Sequence, residues 1–578
     1  MFFNEESLKS GTWQAFERTV GRLLIHSGFE GVRLVGQSRD RGADLLAQFA
    51  GKRWLFQVKH WRQKVGVSVI GETLEALRVY RAQVPVIVSL SGFETQMQEH
   101  QRALLSRHIP LQLWDSKMLI TKAMKLPEMP GLNRPPRRYQ EQGIQDLIRV
   151  YNSGINKALV VMATGLGKTF VAGETVRRLN AIKPLRVLVI AHTNPLVYQL
   201  EKAFWPFLNK YQNTVVWNGY EHLSHEQIEK ASFVFACLNT VEAFIRNRRE
   251  LDHFDLVIID ECHHVGGQMY NSIIQELTAG QENGPFLLGL TATPWRPDEV
   301  DLKQYFGEPV VSVDIVKGLK QGFLSNVDYR MYTDNINWAS LTKIKGKNFS
   351  PRQINRTLFI TEWDDAVVYE LRSVWNEQKK PRAIVFCGTI DHAITMRDRI
   401  NALGFCNASA VYSQTVAGRV MEPSERNRIL CDFQDGIIDV LCAVDILNEG
   451  VDVPDVNIIV FQRVTHSRRI FIQQLGRGLR IADDKDKVIV LDFVSDIRRF
   501  AAGINLKDSL YDEEGPAPGS PVRISLQHKV SFRKAGSEDP RTESFIRRWL
   551  EDVAEIENAG LDASVLKFPP ELPGGKKR

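Results

Sequence analysis

The stretch Ala158-Leu-Val-Val-Met-Ala-Thr-Gly-Leu-Gly-Lys-Thr-Phe170 decides how the rest of this chain is read. A short apolar run ends in Thr164-Gly165-Leu166-Gly167-Lys168-Thr169, which predicts a buried strand, a glycine turn and then a helix. Glycines let backbone N–H groups curl around phosphate oxygens, and the helix N-terminus adds the positive end of its dipole. Thr164, Gly165 and Gly167 shape that cradle; Lys168 reaches the β- and γ-phosphates and the Thr169 hydroxyl holds Mg²⁺. Met162 stands where the first glycine of G-x-x-x-x-G-K-[ST] belongs.

Downstream, apolar runs recur at Leu185–Ala191, Phe233–Cys237, Leu256–Ile259 and Leu287–Leu290, with helical stretches between them. This alternation predicts a parallel sheet with helices on both faces, whose ligands bind at the carboxyl ends of the strands. Leu256-Val-Ile-Ile delivers Asp260 and Glu261 to such an end, followed by Cys262-His263. Asp260 is expected to hold Mg²⁺ and Glu261 to polarise the attacking water. Leu288-Gly-Leu-Thr291-Ala-Thr293-Pro-Trp-Arg296 follows the next strand. The segments Ala191–Gln199 and Leu238-Asn-Thr240 suit backbone-phosphate contact, although ordinary helix capping selects the same residue types.

Alternation resumes with strands at 381–387, Ala408–Tyr412, Val440–Ala443, Asn457–Gln462 and Val488–Phe493. Gln473-Gln-Leu-Gly-Arg477-Gly-Leu-Arg480 places two arginines three apart on one helix face, where they can reach a γ-phosphate across a cleft. Val444–Pro454, with Gly450 and Asp452, precedes it. Gln140 opens a helix just ahead of the glycine loop, where it either reads an adenine edge or is a surface residue. From Gln140 to Arg480 the set resembles, in order, the motifs of superfamily 2 DExH helicases of the ResIII, restriction-enzyme type. The resemblance implies two RecA-like lobes and ATP as the nucleotide. It assigns Gln140, Gly450, Asp452 and Gln473 to the nucleotide cleft, and Arg477 and Arg480 to γ-phosphate contact. That group tolerates an apolar residue at the position of Met162.

The N-terminal stretch differs in character. Trp13, Phe16, Val20, Leu23 and Leu24 are spaced as one helix face that stops at Gly28. A strand at Val32–Val35, a turn carrying Asp44 and a strand at Lys52–Lys59 follow. Gln57 and Lys59 lie two apart, so they share a strand face, and Asp44 lies across the hairpin. A carboxylate, a second oxygen ligand and a lysine can hold Mg²⁺ and activate water for phosphodiester cleavage. Glu17, Asp44, Gln57, Lys59, the run Val84–Phe93 and the stretch from Ile109 onward resemble the Mrr-like branch of the PD-(D/E)xK restriction endonucleases. That resemblance implies a restriction-endonuclease-like α/β/α fold. It makes Asp44 and Gln57 metal ligands, Lys59 catalytic and Glu17 a completing carboxylate. A degenerate form that only grips DNA stays open, because Gln is a poorer metal ligand than Glu.

Length and composition set the frame. The chain has 578 residues, 43% hydrophobic and 25% charged, which predicts several soluble globular domains. Residues 1–130 hold 18 Lys+Arg against 12 Asp+Glu, while the other 448 residues hold 56 of each. The whole excess of +6 therefore sits in the N-terminal part, compatible with phosphate binding or with a solvated basic surface. Six scattered cysteines with no C-x-x-C pair fit a reducing cytoplasm. No apolar run reaches membrane-spanning length, and the N-terminus has no secretory pattern. The two resemblances, together with the composition shifts, imply a nuclease domain over 1–125, a Pro/Gly-rich linker over 126–136 and a first ATP-binding lobe over 137–315. They also predict an interlobe segment over 316–365, a second lobe over 366–510 and a C-terminal extension over 511–578 with one amphipathic helix near 542–557.

The combined expectation is an α/β protein that moves along double-stranded DNA with ATP and cuts it with Mg²⁺, in restriction or defence and with further subunits as partners. A DNA-repair helicase-nuclease and an ATP-driven remodeller with an inactive nuclease fold stay open beside it.

Overall fold

In a computed structural model the structure describes residues 1–36, 42–131, 134–221, 223–247, 253–264, 268–278, 284–292, 302–313, 318, 323–332, 348–349, 361–412, 421–444, 456–462, 487–493, 531–532 and 566–567. Three sheets carry the chain.

The N-terminal sheet has the order β1-β2-β3-β4-β5, formed by Glu30–Leu34, Leu45–Phe49, Lys52–Lys59, Val84–Ser89 and Gln112–Asp115. The first three strands are antiparallel, and β3, β4 and β5 run parallel. Ala50 and Gly51, both at positive φ, close the β2–β3 hairpin in the conformation a two-residue turn requires. β4 reads Val-Pro-Val-Ile-Val-Ser without alternation and is buried throughout, because helices cover both faces. Its helices in chain order are α1 (Glu5–Ser10), α2 (Trp13–His26), α3 (Ser68–Val79), α4 (Thr95–Ser106) and α5 (Ser116–Met124). On one face Phe16, Val20 and Leu24 of α2 and Leu119 of α5 pack with Leu45, Phe56, Val86 and Val88. On the other, Val69 and Ile70 of α3 pack with Met97, Leu104 and Ile87. This is the expected α/β/α sandwich.

The second sheet has the order β12-β6-β11-β10-β7-β9-β8 and is parallel throughout. Its strands are β6 (Lys157–Met162), β7 (Val187–Ala191), β8 (Thr214–Trp217), β9 (Phe233–Cys237), β10 (Leu256–Asp260), β11 (Phe286–Thr291) and β12 (Pro309–Val313). Alternate residues feed two cores: Ala158, Val160 and Met162 of β6 face one, with Val171 and Val176, while Leu159 and Val161 face the other, with Phe306. Helices α6 (Arg138–Asn152), α7 (Lys168–Ile182) and α8 (Asn194–Phe204) connect and cover these strands.

The third sheet has the order β16-β17-β15-β18-β19-β13-β20. Its strands are β13 (Asn326–Tyr332), β15 (Ala383–Phe386), β16 (Ala408–Tyr412), β17 (Val440–Val444), β18 (Ile458–Phe461), β19 (Lys487–Phe493) and β20 (Ser531–Phe532), parallel except for β20. Two residues each form β14 (Asn348–Phe349) and β21 (Leu566–Lys567), an antiparallel pair. The fold is thus an endonuclease-like sandwich followed by two RecA-like parallel-sheet lobes.

Two features were not read from the sequence. β8 and β12 are edge strands with little apolar run of their own, and β12 opens on a proline. β13 lies within 316–365, expected as interlobe segment, yet it pairs along its whole length with β19 in the third sheet. The amphipathic helix expected near 542–557 lies outside the described residues. Among the described residues, no helix is long and apolar enough to cross a membrane. All six cysteines are free.

The sandwich is docked on both lobes. Residues 18, 22 and 26 of α2 share a helix face that meets the first lobe: Arg22 donates to the Asn209 carbonyl at 2.9 Å, and His26 Nε2 lies 3.1 Å from the Trp205 carbonyl. Lys210 Nζ reaches back to the Leu126 carbonyl at 2.7 Å. Toward the second lobe, Arg53 grips Asp435 through two contacts of 2.6 and 2.5 Å, and Asn427 donates to the Val35 carbonyl at 2.9 Å.

Candidate functional sites

The first site lies at the carboxyl ends of β6, β11 and β10, which neighbour one another in that order. β6 leads into the turn 163–167, where Gly165 and Gly167 both take φ of +89°. An L side chain resists that conformation, and a Cβ on Gly167 would stand 2.6 Å from Gln140 Nε2. α7 starts at Lys168, so the N–H groups of Lys168 and Thr169 face the loop at its positive dipole end. Thr164 Oγ1 is buried and has no hydrogen-bond partner among the described residues, an orphan that a phosphate oxygen would satisfy.

Gln140 is fully buried. Its Nε2 donates to the Leu166 carbonyl at 2.8 Å and its Oε1 accepts from Arg137 N–H at 2.9 Å. Tyr139 OH donates to the same Leu166 carbonyl at 3.0 Å, so α6 is fastened to the glycine turn at two points. Gln140 therefore buttresses the loop backbone, a role its position alone did not suggest.

Asp260 ends β10 and Glu261 follows at φ +48°, a left-handed conformation rare for a non-glycine residue. Lys168 Nζ lies 3.5 Å from Glu261 Oε1, which brings the lysine expected at the phosphates and the expected catalytic carboxylate together. Burial first, and then the adjacent Glu261 charge, push the Asp260 carboxyl up to about 7, against the pull of Lys168. A divalent cation bound there would favour the ionised form, so Asp260 and Thr169 fit a metal-nucleotide complex. His263 Nδ1 lies 3.2 Å from Glu261 Oε2 and 3.0 Å from Thr291 Oγ1. It links the acidic turn of β10 to the end of β11, a connection invisible in the spacing. Gly450, Asp452, Gln473, Arg477 and Arg480, expected on the opposite wall, lie outside the described residues, as does Thr293.

The second site is on the N-terminal sheet. Asp44 immediately precedes β2, and its Oδ2 accepts from Val58 N–H at 2.5 Å, which ties it across the hairpin to β3. Burial raises its carboxyl to about 6, with Val58 N–H and Lys59 opposing and Glu72 adding to the rise. Gln57 and Lys59 share one face of β3 as expected. Gln57 is fully buried; its Nε2 donates to Glu72 Oε2 at 2.9 Å and its Oε1 accepts from the Thr73 hydroxyl. Lys59 Nζ lies 3.4 Å from the same Glu72 oxygen. Glu17 is buried on α2, one turn before Gly21, whose absent Cβ would stand 3.0 Å from the Leu45 side chain, in the core opposite the sheet face that carries Gln57 and Glu72. Glu17 thus lies on the helix face turned toward β2. Asp44, Gln57 and Lys59 do converge, and α3 adds Glu72, which spacing did not single out.

Comparison with known proteins finds matches over the segments that carry both sites. Residues 8–122 match the family described as restriction endonuclease, 133–296 that described as Type III restriction enzyme, res subunit, and 364–482 the helicase conserved C-terminal domain. The type I restriction enzyme EcoAI endonuclease subunit of Escherichia coli is 28% identical over 433 residues, 68% of this chain and 51% of that protein. The EcoKI endonuclease subunit of E. coli K12 is 22% identical over 61% of this chain and 33% of its own length. The DNA 3'-5' translocase XPB2 of Sulfurisphaera tokodaii is 25% identical over 61% of this chain and 80% of its own. The chain spans about half the length of the first of these relatives. The chain thus carries, in order, a restriction-endonuclease domain at 8–122, a res-subunit helicase domain at 133–296 and the helicase conserved C-terminal domain at 364–482.

Proposed function

We propose that the chain is an ATP-driven DNA translocase or helicase coupled to a Mg²⁺-dependent DNA endonuclease, working in the cytoplasm to restrict foreign DNA. The observation that carries the reading is the convergence of Lys168 and Glu261, 3.5 Å apart, at neighbouring strand ends over a glycine turn. In this reading the turn and Lys168 hold the ATP phosphates, Thr169 and Asp260 hold Mg²⁺, and Glu261 orients the attacking water. Arg477 and Arg480 close the cleft from the second lobe, with Gly450, Asp452 and Gln473 beside them. Motion between the lobes drives double-stranded DNA past the sandwich, where Asp44, Lys59 and their neighbours cut it. Further restriction subunits supply the sequence reading.

A second reading, a nuclease fold that grips DNA without cutting, is favoured by one observation. Both ends of the Gln57 amide are engaged, and β3 carries no carboxylate to offer a metal.

DNA-stimulated ATP hydrolysis tests the motor. Lys168→Ala is expected to lower turnover about 100-fold or more; retained turnover would remove the assignment. Cleavage of linear, circular, modified and branched DNA in Mg²⁺ tests the nuclease, and cutting of none of them would favour the gripping reading.

A further inference from the structure

Position 57, where a second strand carboxylate would serve a metal, holds an amide whose oxygen is spent on Thr73. A carboxylate nonetheless stands beside it. Glu72 projects from α3 and takes both the Gln57 amide at 2.9 Å and the Lys59 ammonium at 3.4 Å on one oxygen, Oε2. Its other oxygen, Oε1, takes no hydrogen bond or ion pair among the described residues, and the side chain is 57% exposed. A hydrated cation or a DNA phosphate can reach it.

The turn carrying Asp44 is built against this helix. Gly42, at φ +87°, lies so close to α3 that a Cβ there would stand 2.8 Å from the Glu72 carbonyl oxygen. Two carboxylates therefore flank Lys59, one from the hairpin and one from α3. Mg²⁺ typically binds proteins through one or two carboxylates and keeps waters and phosphate oxygens for the rest.

We propose that Glu72, rather than Gln57, is the second protein ligand of the divalent cation beside Asp44, and that Gln57 and Thr73 are positioning residues that aim it. The proposal rests on the nuclease reading above. Thr73 is buried, donates to Gln57 Oε1 and is anchored to the Val69 carbonyl at 2.8 Å. Gln57 is thereby fixed with its N–H toward Glu72, which orients the carboxylate without binding metal itself. The carboxylate lost from the strand has its counterpart on the neighbouring helix.

The test uses the full chain without nucleotide, with Ca²⁺ binding measured by calorimetry and Mg²⁺-dependence of DNA cleavage measured in parallel. Glu72→Gln is expected to weaken Ca²⁺ binding at least tenfold and to lower cleavage at least a hundredfold, with DNA-stimulated ATP hydrolysis unchanged. Thr73→Val is expected to raise the Mg²⁺ concentration for half-maximal cleavage several-fold while saturating Mg²⁺ restores most of the rate. That split separates aiming from general damage. If Asp44→Asn abolishes cleavage while Glu72→Gln leaves Ca²⁺ affinity and the Mg²⁺ curve unchanged, the Glu72 assignment is overturned and the nuclease reading survives. If Asp44→Asn also cleaves normally, both fall.

Discussion

Arg18 of the N-terminal sandwich and Glu221 of the first RecA-like lobe form a two-pronged ion pair, Nη1–Oε1 at 2.6 Å and Nη2–Oε2 at 2.9 Å. Glu201 Oε2 sits 2.6 Å from the same guanidinium. The side chains are 7% exposed for Arg18, 1% for Glu221 and 3% for Glu201. Burial opposes the charge on Arg18, and the two carboxylates more than offset it. The endonuclease-family domain is therefore seated on the first parallel-sheet lobe rather than trailing from a linker.

Removing Arg18 strands two buried carboxylates. Arg18→Ala is expected to destabilise the docked arrangement by about 3–5 kcal/mol. Limited proteolysis within residues 126–136 reads this as faster cutting. Arg53→Ala, whose pair with Asp435 is 17% and 20% exposed, serves as the contrast and is expected to cost about 1 kcal/mol or less.

His26 gives the docking a pH dependence. Burial and then the neighbouring Arg22 depress its imidazole to about 3. Once unfolded or undocked, the ring takes a proton below its ordinary value of about 6.5. Stability is therefore fully present above about pH 6.5 and lost as pH falls from there toward 3, by up to about 1.4 kcal/mol per pH unit. Melting temperatures of wild type and His26→Gln, compared between pH 7.5 and 4.5, are expected to converge toward acid pH.

Gly167→Ala tests the loop. It forces an L residue into φ +89° and pushes a methyl against Gln140. A left-handed residue costs about 1–2 kcal/mol before the clash. Affinity for a fluorescent ATP analogue is expected to fall about tenfold or more, with the global fold retained by circular dichroism.

Glu261 stores strain at its positive φ. Glu261→Gly removes both the strain and the carboxylate. The melting temperature is expected to stay level or rise, nucleotide binding to persist, and ATP turnover to drop about 100-fold or more. A clear loss of stability would mean that Glu261 braces the fold through His263 and Lys168 instead.

Much of this architecture could be read in advance because buried parallel strands are continuous apolar runs. β6, β9, β10 and β11 lie within a residue or two of their expected bounds, and the residues expected to bind the nucleotide sit directly after β6 and β10. β3 was found at its observed bounds, since its residues flank a glycine turn. Edge strands β8 and β12 escaped because one side of each needs no apolar neighbour. β13 falls in the stretch expected as interlobe segment, because its partner β19 is over 150 residues away. Glu72 has no spacing signal in the sequence; only the fold brings it to Lys59. His263 and Gln140 likewise gained their roles from contacts made across the sheet ends.

Cleavage of DNA in Mg²⁺ and ATP by wild type, Asp44→Ala and Lys168→Ala tests the central claim most directly. The expected result is that Asp44→Ala stops cutting while its ATP hydrolysis continues, and that Lys168→Ala stops hydrolysing ATP. Undiminished cutting by Asp44→Ala would contradict the account.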